Sequence, residues 1–209
     1  ASGWVLVDSA YYYFDPTSKQ MQTGWLKLGT TKYYLDQNGA MATGWRLIDG
    51  TYYYFAGGGA LRTGWLLDNG IYFYLDPSPD TASEPNRQGS MFVGLHEIDG
   101  NTYHFASGGA MTTGWKAFDE GWRHFASGGA MHKGQVAIDG VTHHFDSTTG
   151  IAYSGMKVID GNTYYFDEYG RPSTGLVNDG NKTIYVNPDG SLASGWVLVD
   201  SAYYYFDPT

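Results

Sequence analysis

The sequence contains no cysteine, so disulfides and thiolate metal sites are excluded. That absence suits a bacterial surface as well as a cytosol. Charge is sparse too: 12 basic and 21 acidic side chains leave a net charge of −9, with no basic stripe. Nucleic acid and anionic membrane are therefore poor partners. No apolar run reaches the roughly 18 residues of a membrane-spanning helix, so membrane insertion by a helix is not expected. No amphipathic helical period is visible, and no signal peptide opens the chain. It starts inside a motif at Ala1-Ser2-Gly3-Trp4 and reads as a piece of a longer protein.

Glycine (30 residues) and aromatic side chains (17%) are abundant, as a run of hairpins requires: glycines for turns, aromatics for strands. The stretch Thr43 to Leu61, TGWRLIDGTYYYFAGGGAL, holds a Gly-Trp pair, a short run, an Asp-Gly turn, an aromatic run and a Gly-rich turn. Thr63-Gly64-Trp65 then begins the pattern again. Aligned on Gly-Trp, the first column reads Trp4, Trp25, Trp45, Trp65, Leu95, Trp115, Gln135, Met156, Leu176 and Trp196. Ten residues on stands an always apolar column: Phe14, Leu35, Phe55, Leu75, Phe105, Phe125, Phe145, Phe166, Val186 and Phe206. A period of about 20 residues lies in the range of solenoids.

Period two within Tyr52-Tyr53-Tyr54-Phe55 predicts a strand, with Tyr53 and Phe55 on one face and Tyr52 and Tyr54 on the other. The Tyr53/Phe55 face is the expected core, weakened where Arg123 and His143 interrupt its column. Asp49-Gly50, Asp99-Gly100, Asp139-Gly140 and Asp160-Gly161 predict tight hairpin turns, since both residue types tolerate positive φ. A lone hairpin cannot bury its apolar face, so each must stack on its neighbours. The expected fold is all-β: an elongated β-solenoid of tandem hairpin repeats. It comprises N-terminal repeats over 1–75, an insertion at 76–89 and C-terminal repeats over 90–209. The insertion, Asp76 to Gly89, has three prolines and no period, and reads as a surface loop: a lid, or an insertion tolerated at a loop tip. Residues 1–17 are identical to 193–209. This implies either a longer super-repeat continuing past Thr209 with sequence like Ser18 to Gln20, or a duplication or design that joined two copies.

No nucleophile elbow, zinc-protease motif or phosphate loop occurs, and the recurrent Asp residues sit in turns where their role is toward the backbone. His104, His124 and His144 share one column, with His143 beside the last. A solenoid that rotates at each step points them apart, so they are read as replacements for tyrosines such as Tyr34 and Tyr54, with no metal and no cofactor. The pattern thus describes a binding module or a structural stalk. A module predicts ring pairs lining open grooves, and a stalk predicts rings that only pack.

The stretches Thr23 to Trp45 and Ala106 to Met131 resemble the cell-wall-binding repeats of Gram-positive surface proteins. This group includes choline-binding modules, the glucan-binding repeats of glucansucrases and the repeats of clostridial toxins. The resemblance covers nearly all of the chain outside 76–89. It implies a left-handed solenoid with ligand cages between hairpins. Each cage comprises the Trp of Gly-Trp, a second aromatic seven residues on and a ring from the adjoining hairpin. Rings suit a quaternary ammonium, which has no N–H to donate and is attracted to π faces by roughly 0.5–2 kcal/mol each. Carried over by column, Trp4 pairs with Tyr11, Trp45 with Tyr52, Trp65 with Tyr72, Trp115 with Trp122 and Trp196 with Tyr203. Trp25 meets Lys32 instead, and the remaining units keep neither ring. Tyr74 is expected to complete the Trp45 cage, and Met111 to stand near Trp115 and Trp122, the pair nearest the choline pattern. The implied partner is a cell-wall polymer, a choline-bearing teichoic acid or a polysaccharide, met by a secreted or surface protein of a Gram-positive bacterium. Any catalytic domain would lie outside this chain. A glucan- or host-glycan-binding role in a glucansucrase or toxin is the other implication.

Overall fold

The computed structural model describes residues 2–178, 180 and 182–207. Ala1, Pro208 and Thr209, at the outer ends of the two identical stretches, lie outside the described residues, so any continuation past Thr209 does too. Among the described residues twenty short strands form ten two-stranded antiparallel sheets, with no helix. The first four hairpins pair β1 (Gly3–Val7) with β2 (Ala10–Phe14), β3 (Gly24–Leu28) with β4 (Thr31–Leu35), β5 (Gly44–Ile48) with β6 (Thr51–Phe55), and β7 (Gly64–Asp68) with β8 (Ile71–Leu75). The next three pair β9 (Gly94–Ile98) with β10 (Asn101–Phe105), β11 (Gly114–Phe118) with β12 (Gly121–Phe125), and β13 (Gly134–Ile138) with β14 (Val141–Phe145). The last three pair β15 (Gly155–Ile159) with β16 (Asn162–Phe166), β17 (Gly175–Asn178) with β18 (Thr183–Val186), and β19 (Gly195–Val199) with β20 (Ala202–Phe206).

The turns behave as their chemistry requires. Asp49 and Gly50 take φ of 50° and 81°, both left-handed, which gives the turn the twist of its flanking strands. The glycine of each Gly-Trp pair is left-handed as well, as in Gly44 at φ 65°. A Cβ there would meet nothing within 4 Å, so backbone angle and not space requires glycine. Several turn carboxylates cap backbone groups as expected: Asp36 Oδ1 accepts from Asn38 N and Ala40 N at 2.8 and 3.0 Å.

Burial follows the column ten residues after Trp: Leu35, Phe55, Leu75, Phe105, Phe125, Phe145, Phe166 and Val186 are the fully buried large side chains. Each such residue stabilises the fold by roughly 1.5–3 kcal/mol. Hairpins are then tied in series by one recurrent backbone bond. The residue six after each buried apolar one usually donates its N–H to the preceding hairpin, as in Met41 to Tyr11 O and Leu61 to Lys32 O. Where the loop is lengthened the donor sits further on, as in Met91 to Tyr52 O and Ala152 to Trp122 O. In each of these the acceptor belongs to the second-ring column, so the ladder runs through the backbone of that column and not through its side chains.

The chain divides into two compact units, residues 1–96 with 104–111, and residues 97–103 with 112–209. In the first, Asp76–Gly89 forms no strand, yet it is ordered by its own ion pairs, Arg87 Nε with Asp76 and Arg87 Nη1 with Glu84, both at 2.7 Å. In the second, Arg123 and His143 do not weaken the core as expected; they are 7% and 6% exposed. Arg123 Nε donates to Thr149 O at 3.0 Å and the guanidinium lies over Phe118 at 4.5 Å. His143 Nδ1 meets Tyr169 O at 2.7 Å. Each polar head finds a carbonyl at the edge while its flat body packs like the tyrosine it replaces.

Candidate ligand-binding site

Strand register determines what a cage can contain. In the β5–β6 hairpin Trp45 faces Tyr54 and Leu47 faces Tyr52 across the ladder, so Trp45 and Tyr52 lie on one face. Tyr53 and Phe55 lie on the other. The next hairpin covers the Trp45 face with its own Tyr53-type column, which supplies Phe73, its ring centroid 4.8 Å from that of Trp45. Trp45, Tyr52, Phe73, Met91 and Gly108 line a cavity of about 250 Å³. Trp45 Nε1 donates to Asp68 Oδ2 at 3.0 Å, which fixes the indole and sets a carboxylate beside it. The Met91 thioether lies against Gly109, where a Cβ would collide with its sulfur. Three rings, a thioether and one nearby carboxylate make a concave wall suited to an apolar cation.

Tyr74 is not part of this wall. It shares Trp65's face, 5.0 Å from that ring, and packs on Phe92 and Phe105. A one-residue step along a strand reverses the side chain, which is why Phe73 takes the place expected of Tyr74. Met111 donates its N–H to Tyr72 O at 2.8 Å, which ties it to the β7–β8 hairpin. Trp65 and Tyr72 stand 6.4 Å apart, edge to face. Around Trp4 and Tyr11 the arrangement of Trp45 recurs, with Tyr33 at 5.0 Å from Trp4 and Met41 bonded to Tyr11 O. Trp196 and Tyr203 are 71% and 70% exposed; Trp196 packs on Tyr205, and no ring from another hairpin meets it among the described residues.

The cavity between Trp115 and Trp122 is larger, about 400 Å³, and chemically different. His143 stands in the third-ring position, 5.1 Å from Trp115. Tyr169, from the turn after β16, lies 5.1 Å from Trp115 and 5.0 Å from Trp122. Asp139 and Arg171 also line it, with Arg171 Nε bound to Asp167 at 2.6 Å. Tyr169 and Arg171 were not foreseen from the sequence because the wall draws on three successive hairpins, and the third contributes through its turn. Gly108 has the same place at the Trp45 cavity. The signal was available as a column three residues beyond Phe105 and Phe166.

Nearby, His124 takes the place Tyr54 has at Trp45, 4.8 Å from Trp115. Its Nδ1 lies 3.1 Å from His132 Nδ1. Burial lowers both pKa values, and for His124 the charges of His132 and His143 lower it further. Among the described residues no three metal-ligating side chains come together.

Tandem hairpins with ring-lined hollows between them define a class, the repetitive ligand-binding module. Comparison narrows it. The choline-binding repeat matches residues 1–43, and the cell wall binding repeat matches 43–61, 63–78, 94–111, 174–192 and 194–209. The chain belongs to the choline-binding and cell-wall-binding repeat family. Its fold is similar to that of CbpJ from Streptococcus pneumoniae, with a TM-score of 0.71 and 26% identity over 99% of this chain and 86% of that one. The choline-binding domain of CbpL from the same organism superposes with a TM-score of 0.61 at 25% identity, over 93% and 98% of the two chains. Choline binding protein F superposes with a TM-score of 0.67 at 24% identity, over 99% and 85%. No curated protein sequence matches the chain.

Proposed function

We propose that the chain is a non-catalytic module that holds an attached protein on a Gram-positive cell wall by taking up choline groups of a teichoic acid. The Trp45–Tyr52–Phe73–Met91 cavity carries this reading. Its walls offer π faces and a polarisable sulfur, and Asp68 adds a carboxylate whose charge favours a cation. A neutral ligand of the same size would keep its van der Waals contact with the rings but lose the cation–π part of the attraction. The family supports a wall-associated protein, secreted or displayed at the surface. Each cage alone binds weakly. Several cages meeting a polymer with repeating groups gain an avidity of about 10²–10⁴ over one.

A second reading attaches to one place. At Trp115 and Trp122 the walls include Arg171, Asp139 and His143, groups that hydrogen-bond hydroxyls, beside flat faces that accept the C–H side of a sugar. That pocket favours a glycan unit of the same wall. The test is retention of the purified chain on Gram-positive walls, competed separately with choline and with glucan oligomers. Release by choline at millimolar concentration supports the first reading and release by the oligomers supports the second. Retention indifferent to both, or no retention, refutes the module.

A further inference from the structure

In the column where the other ring pairs have Tyr or Trp, the Trp25 unit has Lys32. Its side chain is only 7% exposed, and its Nζ stands over the Trp25 ring, 4.5 Å from the centroid. Tyr53 supplies the third ring, 5.0 Å from Trp25, as Phe73 does for Trp45. The cage is therefore built, and a cation already sits on its floor. Asp80 of the insertion binds that cation at 2.6 Å, and Asp80 Oδ1 also accepts from Gln88 N at 2.9 Å. Tyr53 Oη donates to Asn86 O, another residue of the insertion, at 2.7 Å. Both Lys32 and Tyr53 are thus held by one loop.

The placement follows from the repeat. The third hairpin of each cavity contributes the turn that follows its second strand, which gives Gly108 at Trp45 and Tyr169 at Trp115. For Trp25 that turn is the one after β8, where Asp76–Gly89 is inserted. The insertion therefore stands at the mouth of the Trp25 cage.

We propose that the Trp25 cage is a quaternary-ammonium site closed from within, with Lys32 as its tethered ligand and Asp76–Gly89 as the lid that clamps it. This rests on the reading that open cages such as that at Trp45 take choline. Removing Lys32 beyond Cβ deletes as many heavy atoms as a trimethylammonium head contains, so the vacated space and its rings match an external choline. Burial pushes the Asp80 carboxyl up, but the Lys32 ammonium and the Gln88 N–H outweigh it and hold the group below its ordinary range. The Asp80 side of the clamp is thus a carboxylate near neutral pH.

The experiment follows the indole N–H resonances of the whole chain by NMR during a choline titration. In the parent, Trp45 shifts and Trp25 does not. In Lys32→Ala, Trp25 also shifts, saturating within about tenfold of the Trp45 value, since each ring contributes similarly. Lys32→Met refills the space without charge and stays closed. Asp80→Ala keeps Lys32 but frees it, so choline competes for the cage and Trp25 responds at higher concentration. That variant decides if Lys32→Ala does not fold. A parent in which Trp25 shifts with Trp45 overturns the proposal, as does a folded Lys32→Ala whose Trp25 stays still while Trp45 responds. If Trp45 is silent in every variant, the choline reading itself fails. The Lys32 Hε resonances then decide the clamp alone: moved upfield by the Trp25 ring they uphold it, and at ordinary positions they refute it.

Discussion

Tyr52→Ala and Phe55→Ala lie three residues apart on β6 and are expected to do opposite things. Tyr52 is 45% exposed, and its one recurrent role in the fold is through its carbonyl, which accepts from Met91 N–H and survives the substitution. Half-burial of a large ring is worth about 1 kcal/mol of stability, set against roughly 1.5–3 for full burial. Phe55 is fully buried in a cluster with Ala42, Ile48 and Tyr53, and its truncation costs about 3–5 kcal/mol. For the ligand the order reverses. Losing the Tyr52 ring removes about 0.5–2 kcal/mol of cation–π attraction, which weakens the Trp45 site about 2- to 30-fold. Phe55→Leu, which copies Leu35 and Leu75 in the same column, keeps both properties within about 1.5 kcal/mol of the parent. Urea unfolding gives the stabilities, and a choline titration read at Trp45 gives the affinities. Undiminished affinity in Tyr52→Ala, or a Phe55→Ala protein as stable as Tyr52→Ala, would show that the two faces of the hairpin have been assigned wrongly.

The His124–His132 contact makes the second unit sensitive to acid. Both imidazoles are held below the ordinary value of about 6.5, chiefly by burial, so the folded protein binds fewer protons than the unfolded chain as pH falls through that value. Stability is full above pH 6.5 and declines as pH falls from there to the lowered folded-state values. Solvent screening keeps the amount small, because both rings are only partly buried. Urea midpoints at several pH values measure this, and His124→Tyr, which restores the residue Tyr54 has, flattens the slope. Gly109→Ala forces a Cβ into the Met91 sulfur and strains a residue at φ 78°. It is expected to lower stability by about 1–2 kcal/mol and to weaken choline at Trp45, where Met91 is a wall. An unchanged Trp45 titration in this variant would remove the thioether from the site.

Much of the fold was legible because one residue type per column enforces it. Asp-Gly demands a left-handed pair, Gly before Trp demands positive φ, and Phe55 with its equivalents has nowhere to go but the centre. The site was only half legible. Trp45 and Tyr52 follow from the repeat and the family pattern, but the third wall depends on how one hairpin covers the next. That packing is not written in either hairpin. Period two alone would have chosen Phe73 over Tyr74 once the covering face was known. Tyr169 and Arg171 reach their cavity from a turn two hairpins away, and Asp80 reaches Lys32 across 48 positions, distances at which local pattern is silent. Arg123 and His143 looked like flaws in a core column because polarity was weighed without the carbonyls that satisfy them.

The most direct measurement is a choline titration of the unmodified chain, monitored at every indole N–H at once. The account predicts saturable shifts at Trp45, Trp4 and Trp65, with Trp25 unmoved beneath Lys32. Saturating choline that moves none of these resonances, while the protein remains folded, would contradict it.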